Sequence, residues 1–397
     1  MGLTGNPIYR RMGVREVING RSFSTKVGGC VMDPEVIQAM QEASRSFVRI
    51  EDLEEAASRT ISRITGAEAG YVTSGAAAGL TLSMAACLTG LDPEKMNRLP
   101  DTRGMKNEVI IQRGHRNDYD HALRAAGARV KEIGFNYATF PYELERAIDE
   151  KTAAVFYLAG IADGSLPIAR VTEIAGENGV PVIVDASAEL PPRENLRRFI
   201  GHGADLVVFS GGKHIRGPQS SGFICGRKEL ILAAALQHQD MDVFPETWSF
   251  RELIDDGVLP GPPHHGIGRG FKVGKEEIVG LVTALTRYVE RDLAAELQNW
   301  KETTHSLVDG VNRIEGLSGR FQFPKPGGRT VPAAHIRVDP VKYGLDAHGL
   351  INALQDGDPI IAVYESFAAK GKVIIFPENL RPGDVTLIVD RLREIKA

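Results

Sequence analysis

A run of four apolar residues, Leu206-Val207-Val208-Phe209, is followed by Ser210-Gly211-Gly212 and then a single lysine, Lys213. Uninterrupted apolar residues bounded by glycine read as a strand buried on both faces. Buried strands of this kind belong to sheets covered by helices, and the rest of the chain supplies the helices. Helical spacing is expected over Glu51–Thr65, Gly75–Leu88, Asp118–Ala126, Tyr142–Asp149 and Val171–Asn178, alternating with strands at Ala69–Thr73, Glu108–Gln112, Arg129–Ile133, Ala153–Leu158 and Pro181–Val184. This alternation predicts an α/β fold with a mainly parallel central sheet and helices on both faces.

In such sheets ligands gather beyond the carboxyl ends of the strands. Asp185, His115 and the Ser210–Lys213 stretch all fall at such ends. The Pro/Gly-rich stretch Gly257 to Gly270 marks a boundary or a loop at the site. A long helical pattern follows from Lys275 to about Thr303. Strands are then expected at Ala334–Val338, Ile360–Tyr364 and Lys372–Ile375, with helices near Leu345–Leu354 and Asp384–Ile395. The expected division is an N-terminal segment 1–50 packing on the smaller domain or on a partner, a large domain 51–270, and a linking helix with a smaller C-terminal α+β domain, 271–397.

With 397 residues the chain can bury a large core. A net charge of −4 gives no support to a nucleic-acid surface or a polybasic membrane patch. No run approaches the roughly 18 apolar residues of a membrane span, and the start lacks a secretion signal. Cys30, Cys87 and Cys225 are scattered and odd in number, which points to core residues in a reducing cytoplasm.

A lysine and an aspartate at the ends of two strands of one sheet suit pyridoxal 5′-phosphate. Lys213 would form the Schiff base, and Asp185 would keep the pyridine nitrogen protonated. Each has a plainer reading, Lys213 as a surface lysine and Asp185 as the cap of a turn. The run Val72-Thr73-Ser74-Gly75-Ala76-Ala77-Ala78-Gly79 closes a strand and opens a helix. Backbone N–H groups at a helix start attract a phosphate dianion, with Ser74 and Ser210 as hydroxyl donors; an ordinary N-cap is the alternative. His115 suits stacking on a cofactor ring or proton relay, and equally a satisfied polar residue in a loop. His264-His265 carries no carboxylate or further histidine at ligand spacing, so no metal site is expected. Neither a Walker loop nor a serine elbow is present, and Gly266-Ile267-Gly268-Arg269-Gly270 is not a dinucleotide fingerprint.

Taken together, GAEAGYVTSGAAAGL (66–80), LPDTRGMKNEVI (99–110), RGHRNDYDHALRAAGA (113–128), VIVDASAELPP (182–192), FSGGKHIRGPQSSGFICG (209–226) and FKVGKEEIVGLVTAL (271–285) resemble fold-type I pyridoxal-phosphate enzymes. The resemblance is to those similar to bacterial selenocysteine synthase, and within them to the shorter branch of the D-glucosaminate-6-phosphate ammonia-lyase type. It implies Lys213 as the Schiff-base lysine, Asp185 at the pyridinium nitrogen and His115 over the ring. Ser74, Gly75, Ala76 and Ser210 would hold the phosphate. Gln219 would reach a phosphate, across a dimer interface if the chain forms a homodimer or higher oligomer. Arg269 and Lys275 are the candidates for substrate anions.

The implied reaction is a lyase elimination on a β-hydroxy amino acid or amino-sugar acid. Aldol cleavage and racemisation share its first step, selenium or sulfur transfer to seryl-tRNA ranks lower, and a non-catalytic cofactor-binding protein ranks last. Two departures bear on the substrate. The region before about Ile50 does not match the tRNA-binding extension of selenocysteine synthase. Tyr364, after Gly357-Asp358-Pro359-Ile360, stands where the family commonly carries an arginine.

Overall fold

The computed structural model describes residues 6–160, 164–323 and 330–396. The chain divides into two compact units, one of residues 32–290 and one made from residues 1–31 together with 291–397. The first strand, β1 (Val17–Gly20), belongs to the second of these.

Among the described residues the larger unit holds seven strands: β2 (Ala69–Thr73), β3 (Glu108–Gln112), β4 (Arg129–Ile133), β5 (Thr152–Leu158), β6 (Val182–Asp185), β7 (Leu206–Ser210) and β8 (Gly222–Gly226). Their order in the sheet is β2-β8-β7-β6-β5-β3-β4. Only β8 runs against its neighbours; the β7-β6-β5-β3-β4 pairs are all parallel. Parallel strands need both faces covered, and β5, β6 and β7 are buried almost throughout. The Ala76–Thr89 helix is buried along most of its length. Gly79 lets it lie flat on the sheet, since a Cβ there would stand 2.8 Å from Val208 Cγ1. The Ile50–Thr65 helix buries Ala57, Ile61 and Ile64 and stops at Gly66, whose φ of +76° suits glycine.

The smaller unit pairs β1 in parallel with β11 (Ile360–Val363) and contains an antiparallel sheet. That sheet runs β12 (Lys372–Ile375), β10 (Ala333–Val338), β9 (Leu317–Gln322). Leu307, Val311, Ile336, Leu350 and Ile388 lie in its core.

The boundaries differ from those expected at 50 and 270. Pairing of β1 with β11 draws residues up to 31 into the smaller unit. At the other end, the Lys275–Glu290 helix packs on the Pro34–Ala43 and Ile50–Thr65 helices of the larger unit. The expected single helix from Lys275 to Thr303 is two, Lys275–Glu290 and Leu293–Val311. Asp292 starts the second by accepting hydrogen bonds from the Ala294 and Ala295 N–H groups. β8 was not expected either, because its glycine-flanked GFICG carries little strand signal. Among the described residues no helix is long and apolar enough to cross a membrane.

Candidate active site

The carboxyl ends of β2, β3, β5, β6 and β7 lie on one edge of the large sheet. Register aligns them: Leu158 pairs with Asp185, and Asp185 with Val208. Gly222 pairs with both Ser210 and Thr73, so one row crosses from the end of β7 through the start of β8 to the end of β2. The lysine loop after β7 and the helix start after β2 are thus brought side by side by a strand that sequence reasoning overlooked. A glycine is required at that crossing. A Cβ on Gly222 would meet Phe209 O at 2.7 Å, Gly75 C at 2.8 Å and Ala76 N at 2.9 Å, all backbone atoms.

Asp185 is buried at the end of β6, and its Oδ1 accepts a hydrogen bond from Ser187 N–H at 2.9 Å. The Ser187 hydroxyl lies 3.5 Å from Lys213 Nζ. Ser187 therefore joins the carboxylate loop to the lysine, a link without a sequence signal because it depends on how two loops meet. The glycines before Lys213 prove to be packing positions. A Cβ on Gly211 would fall 2.2 Å from Ser221 Oγ, and one on Gly212 2.7 Å from Gln219 Oε1. The close approach they permit is to the returning 219–221 segment of the same chain.

His115 is fully buried, and its Nδ1 accepts a hydrogen bond from Leu158 N–H at 3.2 Å. A ring nitrogen that accepts carries no proton, so the proton sits on Nε2. Tyr157 packs edge-on against the imidazole at 4.6 Å. His115 is thereby fixed at the end of β5, the strand next to Asp185.

The Ala76–Thr89 helix begins at Gly75, whose φ of +130° and lack of a side chain leave the first turn without a side-chain cap. Ser74 donates its hydroxyl hydrogen to Phe271 O at 2.7 Å. Ser210 sits half-buried in the row with Gly222, and Gln219 is exposed beside Gly212. The two expected substrate cations each have a carboxylate neighbour: Arg269 pairs with Asp240 at 2.9 Å, and Lys275 with Glu276. His265 comes 3.1 Å from Asp242, so tertiary folding does bring carboxylates to this histidine, in an exposed cluster with Asp240. Tyr364 lies in the smaller unit, packed edge-on to Phe376 at 5.7 Å.

The family described as SelA, L-seryl-tRNA selenium transferase, matches residues 17–242. The chain belongs to this family. D-glucosaminate-6-phosphate ammonia lyase of Salmonella typhimurium (strain 14028s / SGSC 2262) is 35% identical over 98% of this chain and 97% of its own. The 5′-C-glycyluridine monooxygenase-decarboxylase of a Streptomyces species is 33% identical over 98% and 91%. The solved structure of D-glucosaminate-6-phosphate ammonia-lyase superposes with a TM-score of 0.80 at 34% identity, covering 99% of both chains. The SelA-like chain has the fold-type I architecture and is a pyridoxal-phosphate-dependent enzyme. Its residues fit that cofactor: a lysine amine and a buried carboxylate on adjacent strands, linked through Ser187, and an uncapped helix start in the same row.

Proposed function

We propose that this protein is a lyase that eliminates ammonia from a β-hydroxy amino acid or amino-sugar acid. The observation that carries the reading is the convergence of Lys213, Asp185 and the uncapped helix start after Gly75 on one sheet edge. Full-length likeness to an ammonia lyase supports the choice of bond and makes D-glucosaminate 6-phosphate the first substrate to test.

When bound, the cofactor supplies an electron sink for the charge left at the substrate Cα. Lys213 would hold the cofactor, and its amine, when free, would take the Cα proton. Asp185 would hold a proton on the ring nitrogen, its burial strengthening that charge pairing. His115 would lie against the ring. Ser74, Gly75, Ala76 and Ser210 would hold the phosphate, with Gln219 beside them. Arg269 and Lys275 would exchange their present carboxylate neighbours for substrate anions. The β-hydroxyl leaves as water after protonation. Hydrolysis of the unsaturated amine left behind releases ammonia and a 2-keto acid.

We also place the protein in the cytoplasm as a homo-oligomer. The cytoplasmic reading is supported by three cysteines that form no disulfide; sedimentation tests the assembly.

Lys213→Ala should abolish both the visible absorption of the bound cofactor and the release of ammonia. A variant keeping both would overturn the assignment. The Streptomyces relative favours a second reading, cleavage of the bond from Cα to the carboxylate. Carbon dioxide in place of ammonia among the products would decide for it.

A further inference from the structure

Behind the helix start lies a chain of hydrogen bonds, part-buried at Phe271 and buried at Tyr71, whose members beyond Ser74 the proposed reaction does not use. Phe271 O receives two contacts, Ser74 Oγ at 2.7 Å and His238 Nε2 at 3.1 Å. A carbonyl oxygen only accepts, so His238 carries its proton on Nε2 and leaves Nδ1 bare. Nδ1 lies 2.9 Å from the Tyr71 hydroxyl, which therefore donates to it. Tyr71 and His238 are buried, at 3% and 4% exposure. Burial lowers the basicity of His238, which favours the neutral ring that this arrangement needs.

Tight packing maintains the geometry. Gly268 N–H donates to Gln237 O at 2.8 Å. Side chains at Gly266 or Gly268 would collide with the 237–238 backbone: a Cβ would stand 2.6 Å from Gln237 Cα in the first case and 2.8 Å from Gln237 O in the second. The Gly266–Gly270 run therefore lets the segment carrying Phe271 lie against the turn carrying His238.

The Ser74 hydroxyl has one hydrogen, and it is directed at Phe271 O. Toward a phosphate that hydroxyl would present only lone pairs. To serve as a donor it must turn its hydrogen away from the carbonyl, and a half-buried carbonyl left without a protein partner is costly. His238 removes that obstacle, because Phe271 O keeps its second hydrogen bond.

Building on the phosphate placement proposed above, we infer that His238 is a positioning residue for the cofactor phosphate. It keeps the Phe271 carbonyl satisfied, so that Ser74 can transfer its hydroxyl hydrogen bond from that carbonyl to a phosphate oxygen. Tyr71 fixes the imidazole proton on the nitrogen that does this.

The experiment compares pyridoxal 5′-phosphate with pyridoxal, which lacks the phosphate. Dissociation constants of both are measured on the cofactor-free protein by visible absorption. His238→Phe should reduce the preference for the phosphorylated form about tenfold, the loss expected for one acceptor left without its protein partner, with pyridoxal binding unchanged. His238→Gln, which keeps an N–H donor, should restore most of the preference. In a Ser74→Ala background His238→Phe should no longer alter it, because the two act through one carbonyl. Equal weakening of both ligands, or an undiminished effect without the Ser74 hydroxyl, would overturn the inference. If His238→Phe does not fold, Tyr71→Phe replaces it; a lowered preference supports the inference and an unchanged one overturns it. A parent protein with no preference for the phosphorylated form would instead remove the phosphate placement itself, and the inference with it.

Discussion

Glu54 gives the sharpest test of how the strand leading to the proposed phosphate site is held. It lies on the Ile50–Thr65 helix, 3% exposed, and its Oε2 accepts the Val72 N–H at 3.0 Å while Oε1 has no partner among the described residues. Burial pushes the carboxyl from an ordinary 4.5 up to about 8, with the Val72 hydrogen bond opposing the rise. Between those values the folded protein holds a proton that the unfolded chain has released. Its contribution to stability is therefore complete below about pH 4.5 and is lost as pH rises through 8. At about 1.4 kcal/mol for each pH unit, the full swing is about 5 kcal/mol. Glu54→Gln keeps the shape and an acceptor for Val72 but cannot ionise. Trp300→Phe removes one of the two tryptophans and leaves the buried Trp248 to report the larger unit. In that background, urea unfolding would be followed by fluorescence from pH 5 to pH 9 for both proteins. The parent should lose several kcal/mol relative to Glu54→Gln across that range. Parallel profiles would refute the argument that Glu54 is folded in as a neutral acid.

Asp185→Asn keeps an oxygen for the Ser187 N–H but removes the charge. It should retain visible cofactor absorption and lower kcat by about a hundredfold or more, measured by ammonia release. Gly222→Ala would press a methyl group on three backbone atoms within 2.9 Å. Overpacking of that kind costs about 1–3 kcal/mol, so cofactor affinity, read by titration, should fall about tenfold; unaltered affinity would show that the row from β7 to β2 does not shape the site.

Much of the larger unit could be read along the chain. Glu108–Gln112 occurs as expected, because a strand buried on both faces leaves a continuous apolar run; the edge strand Arg129–Ile133 also occurs as expected, though only Ile133 of it is buried. Lys213 and Asp185 were visible for the same reason: each follows such a run, where a parallel sheet presents its ligands. Ser187, Gly222 and His238 were not visible. Their importance lies in contacts between segments far apart in sequence, such as His238 with Tyr71 and Phe271. The break at Arg291-Asp292 was missed because helical spacing continues through it, and an aspartate cap leaves that spacing intact.

The ends of the buried strands, and so the lysine and the carboxylate, were determined by local hydrophobic pattern, which depends only on neighbours along the chain. The placing of the lysine loop beside the helix start was decided by β8, an antiparallel strand inserted between β7 and β2. Register across a sheet is set by which strands pair, and pairing is a property of the folded whole. The same holds for Ser74: its hydroxyl is an evident donor in sequence, yet only the tertiary structure shows that its hydrogen already has an acceptor in Phe271.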